Sequence, residues 1–251
     1  MLKILLHGAL GVMGGNVARA VEGDAGVQIV AGVDRIASST EGFPVYDDFS
    51  RVREDFDVVV DFSAAAAVDG LLDFMEHSGK PLVLCTTGLS ELQLRRVEEL
   101  SKRTAILRSA NMSIGVNLLL ELVQTAARKL FEKGFDIEIA EQHHRRKTDA
   151  PSGTAMALAD AVNAALAGQM RYVYGRADRR MARPREEIGI SSIRGGSIAG
   201  VHDVIFAGED EVITLNHTAY SRAIFAQGAL TAARFLQGQA PGLYSMQDAL
   251  A

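Results

Sequence analysis

The chain has 251 residues, of which 48% are hydrophobic and 23% charged, and its formal net charge is −5. That composition argues for a packed core of one large domain or two modest ones, and the acidic balance argues against a general nucleic-acid binder. The single cysteine, Cys85, rules out an internal disulfide and a thiolate zinc cluster, which fits a reducing cytoplasm. The apolar start is too short to span a membrane and runs straight into a glycine-rich loop, so it reads as a strand.

Residues 2–7 form an aliphatic run that ends at Gly8, which predicts a buried parallel strand. Met13, Val17, Ala20 and Val21 recur at helical spacing within 11–22. Runs at 27–33, 56–62, 81–85 and 104–107 predict further strands, with helices at 64–77 and 90–102 between them. Strands alternating with helices imply a right-handed, doubly wound parallel sheet. The pattern changes near Asn111. A long helix is expected at 115–131, a half-buried strand at 135–140 and an alanine-rich helix at 155–167. Short alternating strands at 188–193, 200–207 and 211–218 predict a mixed or antiparallel sheet with one wet face. A last helix is expected at 221–236. The Arg-rich stretch 168–187 reads as a mobile surface loop.

Residues 8–14 form a G-x-x-G-x-x-G loop between an expected strand and an expected helix. Gly8 can make the tight turn, Gly11 lets the backbone approach a pyrophosphate, and Gly14 allows the helix to lie close to the strand. Leu10 departs from the stricter G-x-G-x-x-G form. Asp34 ends the second strand, where a carboxylate can grip ribose hydroxyls, and Arg35 follows where a 2′-phosphate would lie. Thr86-Thr87-Gly88 ends another parallel strand, the place where such sheets bind ligands. These features imply a Rossmann-like α/β domain that takes NADH and/or NADPH. A ligand-free glycine turn would not require Asp34 at that position.

The segment 141–154, EQHHRRKTDAPSGT, carries two histidines, three cations and a helix start. Adjacent residues of an extended segment point to opposite sides, so one of His143 and His144 can face a cleft while the other packs. Histidine suits proton donation during reduction of a C=N or C=C bond. Lys147 is a compact cation for a carboxylate. Pro151 forces Ala150 out of the helical region, and Ser152 is a candidate N-cap. Gly153 and Thr154 then offer backbone N–H groups, so that a helix N-terminus beside Lys147 makes a carboxylate pocket. Arg145 and Arg146 read as solvated or interface charges. No carboxylate stands at a ligand spacing, and His7, His77, His202 and His217 are scattered along the chain, so no metal site is expected.

With HGALGVMG at 7–14, VDFS at 60–63, TTG at 86–88, SANMSIGVN at 109–117, EQHHRRKTDAPSGTA at 141–155 and RGGSIAGVHDVIF at 194–206, the chain resembles the 4-hydroxy-tetrahydrodipicolinate reductase (dihydrodipicolinate reductase) family of bacterial lysine and diaminopimelate biosynthesis. The resemblance runs in family order over nearly the whole length. It implies a nicotinamide hydride donor, a small cyclic dicarboxylate acceptor and a cytoplasmic homotetramer formed through the sheets of the second domain. It implies that His143 is the proton donor, with Lys147 contributing to catalysis, and that His144, Lys147, Gly153 and Thr154 contact substrate. Gly8, Gly11, Val12, Met13, Asp34 and Arg35 would hold the dinucleotide. Phe62, Thr87, Ser109, Ala110, Asn111 and Met112 match further cofactor positions. Residues 1–110 with 219–251 would form the dinucleotide domain, and 111–218 the substrate-binding and oligomerisation domain. Val12 replaces an Arg common in the family, Cys85 a Gly, Ala64 a basic residue and Val201 an acidic one. The first three departures lie on the cofactor side and leave NADH and NADPH both open.

The expected chemistry is hydride transfer to a conjugated imine, with protonation helped by His143 and developing charge met by Lys147. Hydride donor and acceptor would sit on different domains and meet on closure. One rival is another two-domain amino-acid dehydrogenase, acting for instance on aspartate or an amino-aldehyde, which would need a catalytic Cys or a different acid. The other is a non-catalytic NAD(H) sensor, which would have no use for HHRRK before DAPSGT.

Overall fold

β-Branched and leucine-rich runs at 2–7 and 27–33 become the first two strands of a parallel sheet. The computed structural model describes residues 1–39, 42–177 and 179–251. The chain divides into two compact units, Met1–Ile114 with Arg222–Ala251, and Gly115–Ser221.

The first unit contains β1 (Leu2–His7), α1 (Val12–Glu22), β2 (Val27–Val33), β3 (Ser38–Ser39), β4 (Pro44–Tyr46), β5 (Val58–Asp61), α2 (Val68–Ser78), β6 (Leu82–Leu84), α3 (Glu91–Ser101) and β7 (Ala105–Arg108). After the second unit the chain adds α6 (Ala223–Phe235), β13 (Gly242–Tyr244) and α7 (Met246–Leu250). Among the described residues these strands make one eight-stranded sheet, ordered β13-β7-β6-β5-β1-β2-β4-β3. All pairings are parallel except β3 with β4. The chain therefore winds outward from β1 in one direction and from β5 in the other, which puts a switch point at the carboxyl ends of β1 and β5. Apolar layers cover both faces. One holds Ile4, Leu6, Val17, Val60 and Leu230, the other Leu5, Val59, Leu71, Val97 and Ile106.

The second unit takes up α4 (Ile114–Leu130) and contains β8 (Asp136–His143), α5 (Gly153–Ala165), β9 (Arg171–Tyr174), β10 (Glu187–Arg194), β11 (Gly200–Ala207) and β12 (Val212–Ala219). Its sheet is mixed, ordered β12-β11-β8-β10-β9. β10 runs parallel to both β8 and β9, whereas β11 runs antiparallel to β8 and β12. Burial alternates along β8 and β11, so one face packs on α4 and α5 through Ile137, Ile139, Val204, Phe206, Leu119, Val123 and Leu158. The other face is half exposed. This is the α/β class expected, a Rossmann-like sheet plus a second α+β unit with a mixed sheet.

The stretch 168–187 departs from the expectation of a mobile loop, because β9 lies inside it and Arg176, Arg179 and Arg183 are tied down. Arg176 pairs with Glu138 and Glu187 at 3.0 and 2.8 Å, Arg179 with Glu187 at 3.0 Å, and Arg183 with Asp136 and Glu138 at 2.6 and 2.8 Å. Arg183 also donates to the carbonyls of Ile137 and Glu187. Asp178 lies outside the described residues. Short elements β3, β4, β13 and α7 went unpredicted because each is stabilised by neighbours and not by its own periodicity.

Helix α6 lies against the backbone at Met112. A Cβ on Gly228 would sit 1.7 Å from the Met112 carbonyl oxygen, whereas a Cβ on Gly70 in α2 would have nothing within 4 Å. Gly228→Ala is therefore expected to destabilise the first unit by about 2 kcal/mol or more despite the better helix propensity. Gly70→Ala is expected to stabilise it by about 0.5–1 kcal/mol. Denaturant unfolding followed by circular dichroism checks both signs.

Candidate active site

In the first unit the residues marked for the dinucleotide gather at the carboxyl ends of parallel strands. Gly8 follows β1 with φ of +77°, and a Cβ there would lie 2.6 Å from the Phe62 carbonyl oxygen that follows β5. A Cβ on Gly14 would lie 2.4 Å from the carbonyl oxygens of Gly8 and Ala9. These positions therefore need glycine for steric reasons. Gly11 is the N-cap of α1 and brings no side-chain hydrogen bond, and the first turn holds no acidic residue. Val12 and Leu10 are exposed there. Met13 is half-buried in that first turn. A helix N-terminus of this kind, with its donors uncapped by side chains, suits a pyrophosphate.

Asp34 ends β2. Its carboxylate accepts from the backbone N–H of Leu10 and of Arg35, both at 2.8 Å. This fixes the carboxylate beside a cavity of about 540 Å³ lined by His7, Asp34, Arg35, Asp47, Asp48 and Phe49, among others. Asp47 pairs with Arg51 at 3.0 Å, and Asp73 at the far wall pairs with Arg96 at 2.5 Å. Arg35 is exposed. At the floor, buried His7 Nδ1 lies 2.8 Å from buried Asp61 Oδ1. Burial would raise the Asp61 pKa, but His7 and Ser63 outweigh it and hold the carboxyl below its usual range.

Thr87 is exposed after β6, and Ala110 is exposed in the turn after β7. Ser109 Oγ donates to the Asn111 carbonyl at 2.8 Å, and the Asn111 side-chain oxygen accepts from Ser113 N at 2.8 Å. Met112 differs from these neighbours, since its side chain is buried in the core of the first unit. Cys85 is buried too, and burial pushes its thiol well above the ordinary range. A thiolate nucleophile there is disfavoured, which removes the main support for a cysteine-dependent dehydrogenase.

In the second unit the apolar row of β8 turns polar at its end. Glu141 and His143 continue the face of Ile137 and Ile139 and are buried, while His144 is half-buried and Arg145 and Arg146 are exposed. His143 Nδ1 lies 2.6 Å from Glu141 Oε2. Arg194, paired with His143 across β10, donates to both Glu141 oxygens at 2.8 and 2.7 Å. Ser152 N donates to Glu141 Oε1 at 3.1 Å. Burial alone would raise the Glu141 pKa, but the contacts with Arg194, Ser192 and His143 win and hold it at about 2. Glu141 is thus an ionised acceptor, and His143 Nδ1 must carry the proton between them.

Ser152 is the N-cap of α5, its Oγ accepting from Ala155 N at 3.2 Å. The same Oγ lies 3.1 Å from His202 Nε2. The His202 ring stands edge-on to His143 at 5.1 Å, with His217 behind it at 6.5 Å. Burial first, then the neighbouring His143, pushes the His202 pKa down to about 4. Lys147 is half-buried and pairs with Asp149 at 2.9 Å. Arg194 Nη2 also donates to the Asp149 carbonyl at 2.6 Å. Gly153 and Thr154 begin α5, and a Cβ on Gly153 would meet nothing within 4 Å. The Ala150–Pro151 peptide in the turn before α5 is cis.

A family model described as "Dihydrodipicolinate reductase, N-terminus" matches residues 2–112, and "Dihydrodipicolinate reductase, C-terminus" matches 115–250. The chain belongs to the dihydrodipicolinate reductase family. It is an NAD(P)H-dependent oxidoreductase by that membership. It is 50% identical to the 4-hydroxy-tetrahydrodipicolinate reductase of Caldanaerobacter subterraneus over 99% of this chain and 98% of that one. It is 45% identical to the enzyme of the same name from Clostridium tetani, over 98% and 96%. The fold is similar to a dipicolinate-bound dihydrodipicolinate reductase from Paenisporosarcina sp. TG-14, with a TM-score of 0.83, 23% identity and full coverage of both chains.

Sequence reasoning missed several polar residues of this reductase's second unit. Glu141 was legible in principle, since a residue two before His143 on a strand shares its face. Arg194 and His202 arrive from other strands, and although both stand in the 194–206 motif, nothing in it marks their contacts with Glu141, Ser152 and His143. The histidines described as scattered are so only along the chain, for two of them stand in a row with His143. Lys147, read as a cation for a carboxylate, pairs in this structure with Asp149. Among the described residues no group of three or more His, Cys, Asp or Glu could hold a metal ion.

The His202 shift makes a pH prediction. Its folded pKa of about 4 lies below the ordinary 6.5, so the unfolded chain binds the proton first as pH falls. The stability contributed is present above pH 6.5 and is lost as pH drops towards 4. Thermal unfolding between pH 7 and 4 should show this loss, and His202→Gln should flatten it.

Proposed function

We propose that the protein catalyses NAD(P)H-dependent reduction of 4-hydroxy-tetrahydrodipicolinate to tetrahydrodipicolinate, in lysine and diaminopimelate biosynthesis in the cytoplasm. In this reading the first unit is the dinucleotide domain and the second the substrate domain. The observation that carries it is the buried Glu141–His143 pair at the end of β8, 2.6 Å apart, with Lys147 and the start of α5 a few residues on. A non-catalytic NAD(H) sensor has no use for such a pair.

A bound dihydronicotinamide supplies the hydride. The chain's own residues do the rest. Gly8, Gly11 and the first turn of α1 with Val12 and Met13 receive the pyrophosphate, and Asp34 receives ribose hydroxyls. Phe62, Thr87 and Ser109–Met112 line the reacting end, with Met112 contributing backbone only. Lys147 and the amides of Gly153 and Thr154 hold the substrate carboxylates, and His144 borders them. Lys147 exchanges Asp149 for the substrate, which leaves its charge near the ring. His143 delivers a proton from Nε2 to the electron-rich imine system as reduction proceeds. A Cβ on Gly200 would sit 3.1 Å from that Nε2, so glycine there leaves its approach clear.

NADH is the better cofactor in this reading. Asp34 and Asp48 have no ion pair among those described above; Arg35 lines the cavity with them, and Arg51, which also acts on Asp48, is paired with Asp47. That balance favours ribose hydroxyls over a 2′-phosphate. The test is an assay in which the unstable substrate is generated enzymatically and both cofactors are titrated. NADH should give the higher kcat/KM. His143→Gln should lower kcat about 100-fold or more while leaving binding of pyridine-2,6-dicarboxylate, a planar mimic of the substrate, within a few fold. Normal turnover with an unchanged pH profile would remove His143 from the acid's role.

The half-exposed face of the second sheet and its edge strand β12, with Val212 and Ile213 exposed, support assembly into a homotetramer through this unit. Sedimentation equilibrium should return a mass of four chains, and Val212→Lys should lower it.

A further inference from the structure

We infer that Glu141 is the positioning residue for the acid, and that Arg194 acts through it to fix which nitrogen of His143 can give up a proton. The inference rests on the proposed role of His143 as the proton donor and adds the group that makes such a donor work.

The geometry of the carboxylate leaves little freedom. Oε1 accepts from Arg194 Nη2 at 2.7 Å and from Ser152 N at 3.1 Å. Oε2 accepts from Arg194 Nη1 at 2.8 Å and faces His143 Nδ1 at 2.6 Å. Four donors from three residues thus surround a fully buried carboxylate. An oxygen in that position receives a hydrogen, so Nδ1 holds its proton before and after the reaction. The mobile proton is confined to Nε2. The pair resembles in logic the carboxylate of a hydrolytic triad, which sets the tautomer of its histidine and supports the imidazolium without itself taking the proton.

The two-pronged Arg194 contact adds a second constraint. A carboxylate on a flexible stem could swing away from the ring, but a guanidinium fork defines its plane. Arg194 stands opposite His143 in the β8–β10 ladder, so the fork and the ring are set by the same backbone pairing. Neighbouring charges include His202 on β11, Lys147 and Asp149 on the loop after β8, and His217 on β12 behind His202.

Glu141→Gln tests the idea because shape is kept and donor logic is reversed. The amide oxygen is drawn to the Oε1 position, where two obligate donors point, Arg194 Nη2 and Ser152 N, against one, Arg194 Nη1, at Oε2. The amide nitrogen then faces His143 Nδ1 and turns it from donor to acceptor. The imidazolium, with protons on both nitrogens, is opposed by that contact, and the ring can no longer serve as the acid.

The expected result is a kcat lowered about 100-fold, with the dissociation constant for pyridine-2,6-dicarboxylate within threefold of wild type. The alkaline fall in rate that a general acid produces should be lost. Nitrogen-15 NMR of the histidines should show Nδ1 of His143 protonated in the neutral wild-type ring and bare in the variant. A Glu141→Gln enzyme with normal kcat would overturn the inference. If the variant does not fold, the wild-type spectrum decides, because a bare Nδ1 in neutral His143 overturns it without any substitution. His143→Gln is assayed in parallel. If that variant turns over normally, the acid's role itself fails. If it is slow while Glu141→Gln is normal, the acid stands and only the positioning role falls.

Discussion

A buried carboxylate must find, within the protein, the hydrogen bonds that water would have given it. Glu141 meets that demand with the Arg194 fork, the Ser152 amide and the His143 ring. The donors come from β8, β10 and the start of α5, so satisfying one charge fixes three elements against each other. Removing one partner of a buried ion pair typically costs about 3–5 kcal/mol, far more than a surface pair is worth. The candidate site of the second unit is therefore organised around an anion. His143 and the loop of Lys147 are both held through Arg194, which reaches Glu141 with its fork and that loop through the Asp149 carbonyl.

The first unit solves a different problem by omission. Its loop needs the backbone of Gly8 and Gly14 to come within contact distance of other backbone atoms, at Phe62 and at Gly8 and Ala9. No side chain fits there, and the uncapped first turn of α1 leaves donors for an anion. One unit makes room by removing side chains, and the other is ordered by filling the lone pairs of one carboxylate.

This contrast explains how much of the molecule was legible in the sequence. Long aliphatic runs such as 2–7 and 27–33 declared their strands, and the glycine loop declared its turn, because the causes are local. The segment 141–154 declared a site because so many chemically active residues stand close together. Arg194 and His202 stand in the 194–206 motif that carries the resemblance, but their partners were not legible, since those contacts exist only once β10 and β11 flank β8. The arginines of 176–183 were read as part of a mobile surface loop for the same reason. Their partners Asp136, Glu138 and Glu187 are distant in sequence or lie across strands, and periodicity carries no record of them. Glu141 is the instructive case, since its face was readable from His143 but its importance was not.

The ladder that aligns Arg194 with His143 and His202 with Glu141 also limits how such a chain can vary in length. One residue inserted in β10 or β11 would turn every later side chain of that strand to the opposite face. The Arg194 guanidinium would then leave the carboxylate, or the His202 ring would leave Ser152 and His143, even though the strand remained a strand. Insertions and deletions among relatives should therefore be confined to the turns, such as 195–199 between β10 and β11, and excluded from the ladder itself.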